Sequence, residues 1–308
     1  MSLASSLPAH PAAAVGLAQL SLAGVLWGTG GVAVQLVREH AALSAVVISG
    51  YRTVLGALVL LCLLAAARTG RAAIATLRGS PSELIVIGLT TLAYQVLYYA
   101  AVTLAGVSVA TAVTLGLAPV LVTIHEVRTS RALPTLGRLA VVAVAIVGLV
   151  LVSAAAGGAG GPRPGLGVLC AVGSAATYAA ATVLGRQAAR RAGPLALAAI
   201  TTGIGAVAML PVLAVLAGTG AQVTTADPRA LALLGYLGVM TLALAACLVF
   251  AGLQVVTGSA ATLATLLEPV SAAVIAALLL GERLGPGGWL GMALVLASLV
   301  GLATRRSP

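Results

Sequence analysis

The sequence predicts an all-α polytopic membrane protein, with ten transmembrane helices in two inverted-topology five-helix repeats. Three observations carry this. First, 61% of the 308 residues are hydrophobic and 7% are charged, where a soluble domain of this length carries roughly 77 charged side chains. A surface of that composition would not stay solvated, and disorder needs the opposite balance. Second, apolar runs of about 20 residues, long enough to cross a bilayer as a helix, recur ten times. Third, the arginines crowd into alternate loops.

The first run, Val15–Val37, stops at Arg38-Glu39-His40. Leu43–Ala67 gives way to a stretch from Arg68 to Pro81. Glu83–Leu104 and Val107–Val127 are parted by Gly106, and Arg128 to Arg131 separates the latter from Leu133–Ala155. The glycine- and proline-rich stretch Gly157–Pro164 precedes Leu166–Ala188, and Arg190 to Pro194 leads into Pro194–Ala217. Gly218 to Pro228 precedes Ala230–Val255. Thr257–Leu280 and Gly287–Ala303 are divided by a segment starting at Gly281. Each boundary carries turn or charge signals. Hydrocarbon offers no water to bond the backbone, so the runs are helices. They lack the period-2 alternation of a transmembrane barrel.

With the N-terminus placed inside, the inner loops hold Arg68, Arg71, Arg78, Arg128, Arg131, Arg138, Arg186, Arg190, Arg191, Arg305 and Arg306. The outer loops hold Arg38, Arg163, Arg229 and Arg283. This asymmetry predicts both termini in the cytoplasm. The arginine-rich, lysine-free composition suggests a bacterial plasma membrane. The first fourteen residues hold no Arg or Lys, so no signal peptide is expected. The net charge of +10 is scattered singly along the chain, which argues against nucleic acid. Cys62, Cys170 and Cys247 lie in apolar runs without CxxC spacing and read as small core residues. His125-Glu126 is half of an HExxH motif, but position 129 is Thr. It reads as a solvated helix end, as do Glu39, Glu83, Glu282 and Asp227 at the flanks of spans and Gln254 near the end of one. No metal, cofactor or directly used ATP is expected.

The chain repeats itself. At an offset of 150, Leu117-Ala118-Pro119-Val120 lies over Leu267-Glu268-Pro269-Val270. At 151, Trp27-Gly28 lies over Tyr178-Ala179 and Leu133 over Leu284. Residues 15–155 and 166–303 are then two repeats of five spans. Five is odd, so the repeats face the membrane in opposite senses, an architecture of secondary transporters.

Leu26-Trp27-Gly28, Tyr51-Arg52, Tyr178-Ala179, Leu267-Glu268-Pro269-Val270 and Gly281-Glu282-Arg283-Leu284 together resemble the EamA family of the drug/metabolite transporter superfamily. The similarity covers essentially the whole chain. Position 178 is Tyr where the family often has Trp, and Ser130-Arg131-Ala132-Leu133 stands where a first Gly-Glu-x-Leu would sit. The resemblance implies ten helices in inverted repeats, a central cavity, and transport of small metabolites, often outward.

The residues expected around such a cavity follow from depth and chemistry. Glu268 lies near the middle of its span, where an ionised carboxylate costs a few kcal/mol or more. It is either a protonatable or amine-binding group, or a protonated one satisfying backbone freed by Pro269. Pro119 and Pro269 are expected as hinges, since proline removes a helix hydrogen bond. Arg52 lies about 13 Å into its span; it either holds a substrate carboxylate or bonds helix-end carbonyls. Tyr94, Gln95 and Tyr98 share helix faces away from the interfacial belt. Buried Tyr hydroxyls need partners, so they read as cavity wall. Trp27, beside Gly28, Gly30 and Gly31, allows close packing or a binding site. Tyr178, Thr111 and Thr265 complete the expected set, while Thr114 and Thr262 are weaker candidates. Gly287 and Gly291 form a GxxxG that reads as packing within the bundle.

The expected function is a secondary transporter, an exporter of small organic metabolites such as amino acids. It would work by alternating access, the two halves rocking around the cavity, with Glu268 as the proton-coupling group. Alternatives are an uncoupled facilitator or a multidrug or organic-cation exporter. An intramembrane enzyme needs clustered Asp, His or metal ligands at depth, and this chain has one midplane carboxylate. The expected partners are the substrate, the lipid bilayer and protons, in a monomer or homodimer.

Overall fold

The computed structural model describes residues 11–105, 107–131, 135–155, 162–279 and 285–303. All regular structure among them is helical: α1 (Pro11–His40), α2 (Ala45–Ala66), α3 (Gly70–Gly79), α4 (Pro81–Ala105), α5 (Val107–Ser130), α6 (Leu136–Ala155), α7 (Pro164–Ala189), α8 (Pro194–Gly218), α9 (Pro228–Gly238), α10 (Ala245–Leu253), α11 (Gly258–Ala264), α12 (Leu267–Leu279) and α13 (Pro286–Ala303). Seven helical rods among these residues are long and apolar enough to cross a membrane. The ten expected spans fit this set if α6 and α13 are shorter spans and α11 with α12 is one broken rod. The Gly281-Glu282-Arg283-Leu284 motif, Leu133, Arg305 and Arg306 lie outside the described residues.

Helix starts are set locally. Ser44 caps α2 by accepting from Val47 N, and Thr257 caps α11 by accepting from Ala260 N. Asp227 accepts from the backbone N–H of Arg229 and Ala230 at 2.9 and 2.8 Å, and Pro228 follows at a position where its missing N–H costs nothing.

Three features depart from the expected spans. The stretch from Arg68 to Pro81 contains the ten-residue helix α3. It is about 15 Å long at 1.5 Å per residue, half of what a crossing needs. The eighth span runs from α9 to α10 through a π-helical segment, Val239–Leu244. The ninth is not kinked at Pro269 but broken at Thr265-Leu266. Pro269 therefore falls in the first turn of α12, where no helical bond is lost, whereas Pro119 lies inside the unbroken α5.

Packing pairs helices across the two halves: α4 with α7, α6 with α13, α1 with α12, and α2 with α8. Exchanging the halves maps α4·α7 onto α1 against the α9–α10 rod, and α5·α7 onto α1·α12, and both partner pairs are present. Glycines set the closest approaches. A Cβ at Gly28 would lie 2.0 Å from Ser271 Oγ and 2.5 Å from the Glu268 carbonyl oxygen, so α1 and α12 touch backbone to backbone. The expected GxxxG divides: Gly291 packs against Gly148 of α6, while Gly287 has open space around it.

Two apolar cores lie at opposite ends. One joins Leu20, Leu60, Leu84, Ile87, Leu197, Phe250 and Leu253, the ends of α2, α7 and α10 meeting the starts of α4, α8 and α11. The other, smaller in reach, joins Val37, Leu43, Ile48, Leu234 and Leu237 of α1, α2 and α9. Two of the cysteines, Cys170 and Cys247, pack against the core as expected, and Cys62 does not. Cys62 is exposed, and Cys170 and Cys247 are half-buried, all three as free thiols.

Candidate functional site

Between the two cores lies a cavity of about 310 Å³, walled by α1, α2, α4, α7, α8, the α9–α10 rod and the α11–α12 break. Trp27, Arg52, Tyr94, Gln95, Tyr98, Tyr178, Thr265 and Glu268 all line it. Thr111 stands behind the wall, 2.8 Å from the Tyr98 hydroxyl. Pro119, Pro269 and Thr114 are not among its lining residues, while Thr262 is.

The tyrosines form a stacked wall. The rings of Tyr94 and Tyr178 are 4.9 Å apart and tilted 30°, joining the two repeats. Tyr98 continues the wall 6.3 Å from Tyr94, with Tyr99 edge-on beyond it. Such ring pairs contribute about 0.5–1.5 kcal/mol beyond burial. The Tyr178 hydroxyl lies 3.0 Å from Thr265 Oγ1, at the helix break. Tyr98 and Tyr178 thus spend their hydroxyls on threonines, while the Tyr94 hydroxyl forms no hydrogen bond with the described residues.

Arg52 reaches in from α2. Its Nη2 donates to the Thr241 carbonyl oxygen at 2.8 Å, within the π segment. A π turn interrupts the regular i to i−4 pattern, and the guanidinium meets a carbonyl there. The Arg52 Nε is buried and has no partner among the described residues. Glu268, in the first turn of α12, faces the same space. Among the described residues its carboxylate accepts no hydrogen bond, and no ion pair joins it to Arg52. One guanidinium and one carboxyl group from opposite repeats thus look into one tyrosine-walled cavity.

The glycines of α1 divide by role. Gly24 and Gly28 are pressed against α12, whereas a Cβ at Gly31 would meet nothing within 4 Å, and Gly30 and Gly31 border the cavity. The sequence reading did not single out Thr91, Thr201 and Thr202, which also line it. Thr201-Thr202 inside the otherwise apolar α8 was a readable signal. The Thr29–Tyr236 contact at 2.6 Å left none, because it depends on how two distant helices meet.

Below the cavity, at the end of the broader core, polar clamps cross between helices. Arg186 Nε donates to Val256 O at 2.6 Å. Gln254, expected to be solvated, donates instead to Ala189 O and Ala192 O at the end of α7. Glu126, also expected on a solvated face, is half-buried: its carboxylate accepts from Ser259 Oγ at 2.8 Å and Ser259 N at 3.2 Å. The physical reason is one: helix ends leave unsatisfied backbone groups, and both side chains serve a neighbouring helix rather than water.

Comparison with known proteins adds the following. The model of the EamA-like transporter family matches residues 14–154 and 165–304. The chain is similar to the Bacillus subtilis (strain 168) protein described as "Uncharacterized transporter YwfM", 29% identical over 207 residues, which is 67% of this chain and 68% of that protein. It also resembles a protein of known crystal structure at 18% identity, with a TM-score of 0.73 over 94% of this chain and 95% of that one. That likeness concerns the fold.

Proposed function

This chain belongs to the EamA-like transporter family, and from that premise we propose that it is a secondary transporter that exports small zwitterionic metabolites, amino acids foremost, from a bacterial cytoplasm. One observation supports this reading above the rest. Arg52 and Glu268 face a single cavity without an ion pair between them, and the Tyr94 hydroxyl, unbonded among the described residues, stands with them. A zwitterion offers a carboxylate to the guanidinium and an ammonium to the carboxylate. The tyrosine faces suit an apolar or cationic moiety between them.

Alternating access is the mechanism. The clamps of Arg186, Gln254 and Glu126 close one end, which the arginine asymmetry assigns to the cytoplasm. The opposite end, held by a core of fewer helices, is the exit. The repeats 15–155 and 166–303 supply the symmetry. The bodies that move draw helices from both, because α4 packs on α7 and α1 on α12. Glu268 carries the coupling proton: it must be neutral, paired or wet at this depth, and substrate binding and release decide which.

The experiment is flux in proteoliposomes loaded with mixed amino acids, with and without an imposed proton gradient, read by mass spectrometry. Selective release that grows with the gradient is expected. Release of a non-zwitterionic compound in preference, or no release from the pool, overturns the substrate class. Selective release indifferent to the gradient overturns the coupling.

A further inference from the structure

Away from the central cavity, a second concavity of about 690 Å³ opens sideways between α2, α3, α4 and α8. Its walls are Leu61, Leu64, Ile74, Leu77, Ile204 and Val207, with small residues between them. Along α8 it runs from Ala199 to Ala208, about 14 Å of helix at 1.5 Å per residue. Since α8 begins at Pro194, the groove descends from the membrane surface toward the bilayer centre. Gly203 lies on its floor, and a Cβ there would meet nothing within 4 Å.

Three arginines sit next to the groove's lining residues Ala65, Gly70 and Leu77 along the chain. Arg68 follows the end of α2 in a left-handed conformation, φ 55°. Arg71 and Arg78, seven residues apart, share a face of α3. All three are exposed, and their guanidinium groups bond to nothing among the described residues. Glu83 is the only acid between Glu39 and Glu126, and it is already held by Arg191 at 3.1 Å. The α3 helix turns Ala73, Ile74 and Leu77 to the groove, with Arg71 and Arg78 exposed three and four residues from Ile74 on the flank beside it, as an interfacial helix does.

We propose that this groove is a binding site for an anionic phospholipid, with one acyl chain lying along α8 and the phosphate met by Arg68, Arg71 and Arg78. The charge beside the groove selects the occupant. An apolar groove alone would accept any lipid tail, but three arginines that have no acidic partner among the described residues favour a net negative headgroup. The site is separate from the transport cavity and stands whatever the transported compound is.

The test is native mass spectrometry of the detergent-extracted full chain, titrated with phosphatidylglycerol and with phosphatidylcholine of identical acyl chains. The wild type is expected to retain phosphatidylglycerol preferentially. The Arg68→Gln/Arg71→Gln/Arg78→Gln variant should lose the preference, by roughly 100-fold if each arginine acts near the surface as basic residues generally do. These side chains are exposed, so the fold is not at risk. Gly203→Leu, which fills the groove without meeting backbone, should weaken both lipids together. Equal retention of the two lipids by the wild type overturns the proposal, as does an unchanged preference in the triple arginine variant. Unchanged binding in Gly203→Leu overturns the placement of the chain. A two-copy complex that Gly203→Leu dissociates would put a second protomer in the groove and overturn it too.

Discussion

Arg52 Nη2 and the carbonyl oxygen of Thr241 are 2.8 Å apart, joining α2 of the first repeat to the π segment of the second. The bond fixes the guanidinium at the rim of the cavity while Nε has no partner among the described residues. Arg52 is therefore a tether between the repeats, and the proposed function makes it a substrate ligand as well. Arg52→Gln should lower stability by about 1.5–3 kcal/mol, the range for a hydrogen bond to a charged group, measured as a shift in thermal unfolding in detergent. Arg52→Lys should recover part of the stability but not substrate binding, because a compact ammonium lacks the guanidinium fork.

Glu268→Gln should leave stability near that of the wild type, since the carboxylate accepts no bond from the described residues. Transport should persist at a reduced rate but lose its dependence on the proton gradient. A variant that keeps full gradient-dependent flux in proteoliposomes removes Glu268 from the coupling role.

Tyr178→Phe breaks the 3.0 Å contact with Thr265, Thr265→Val breaks it together with the Thr265 donation to Thr262 O, and a double-mutant cycle isolates the shared contact. The expected coupling is about 0.6 kcal/mol, the average for hydrogen bonds between membrane helices. A coupling near zero would mean that the two hydroxyls act independently.

The glycines of α1 make the sharpest stability contrast. Gly28→Ala places a methyl group against Ser271 and the Glu268 backbone and should cost about 1–3 kcal/mol, as overpacking does. Gly31→Ala meets nothing and should leave the unfolding temperature unchanged while altering substrate affinity. Thermal unfolding with and without ligand separates the two effects.

Asp227 gives a pH dependence. The backbone N–H of Ala230 foremost, then that of Arg229, holds its carboxyl below the usual carboxylate range. A depressed value in the folded state means that the stabilisation is full above the unfolded value and is lost as pH falls through the folded one. Asp227→Asn keeps a capping oxygen that does not titrate. The stability difference between wild type and Asp227→Asn should therefore shrink below about pH 4, as followed by unfolding temperature against pH.

Much of this was legible in the sequence, because membrane insertion imposes length and polarity rules that act residue by residue. Run length marked the spans. The depth of Glu268 and the i, i+4 spacing of Tyr94 and Tyr98 pointed inward, and all three side chains line the cavity. What was hidden depends on tertiary contact. The π segment and the break at Thr265-Leu266 are choices between neighbouring hydrogen-bond registers, which hydropathy cannot distinguish. Glu126 and Gln254 looked like water-facing ends because the helix ends they serve are 133 and 62 to 65 residues away in the chain.

The pairing of α1 with α12 and of α4 with α7 also governs how the molecule is made. Helix α1 of the first repeat presents Gly24 and Gly28 to a partner in the second repeat that is synthesised long after it. Until then its small-residue seam lies against lipid, and the growing chain holds spans whose proper neighbours do not yet exist. Neither half can reach its native packing alone. A nascent chain interrupted between the repeats therefore lacks these partners, and the native packing of α1 must wait for α12.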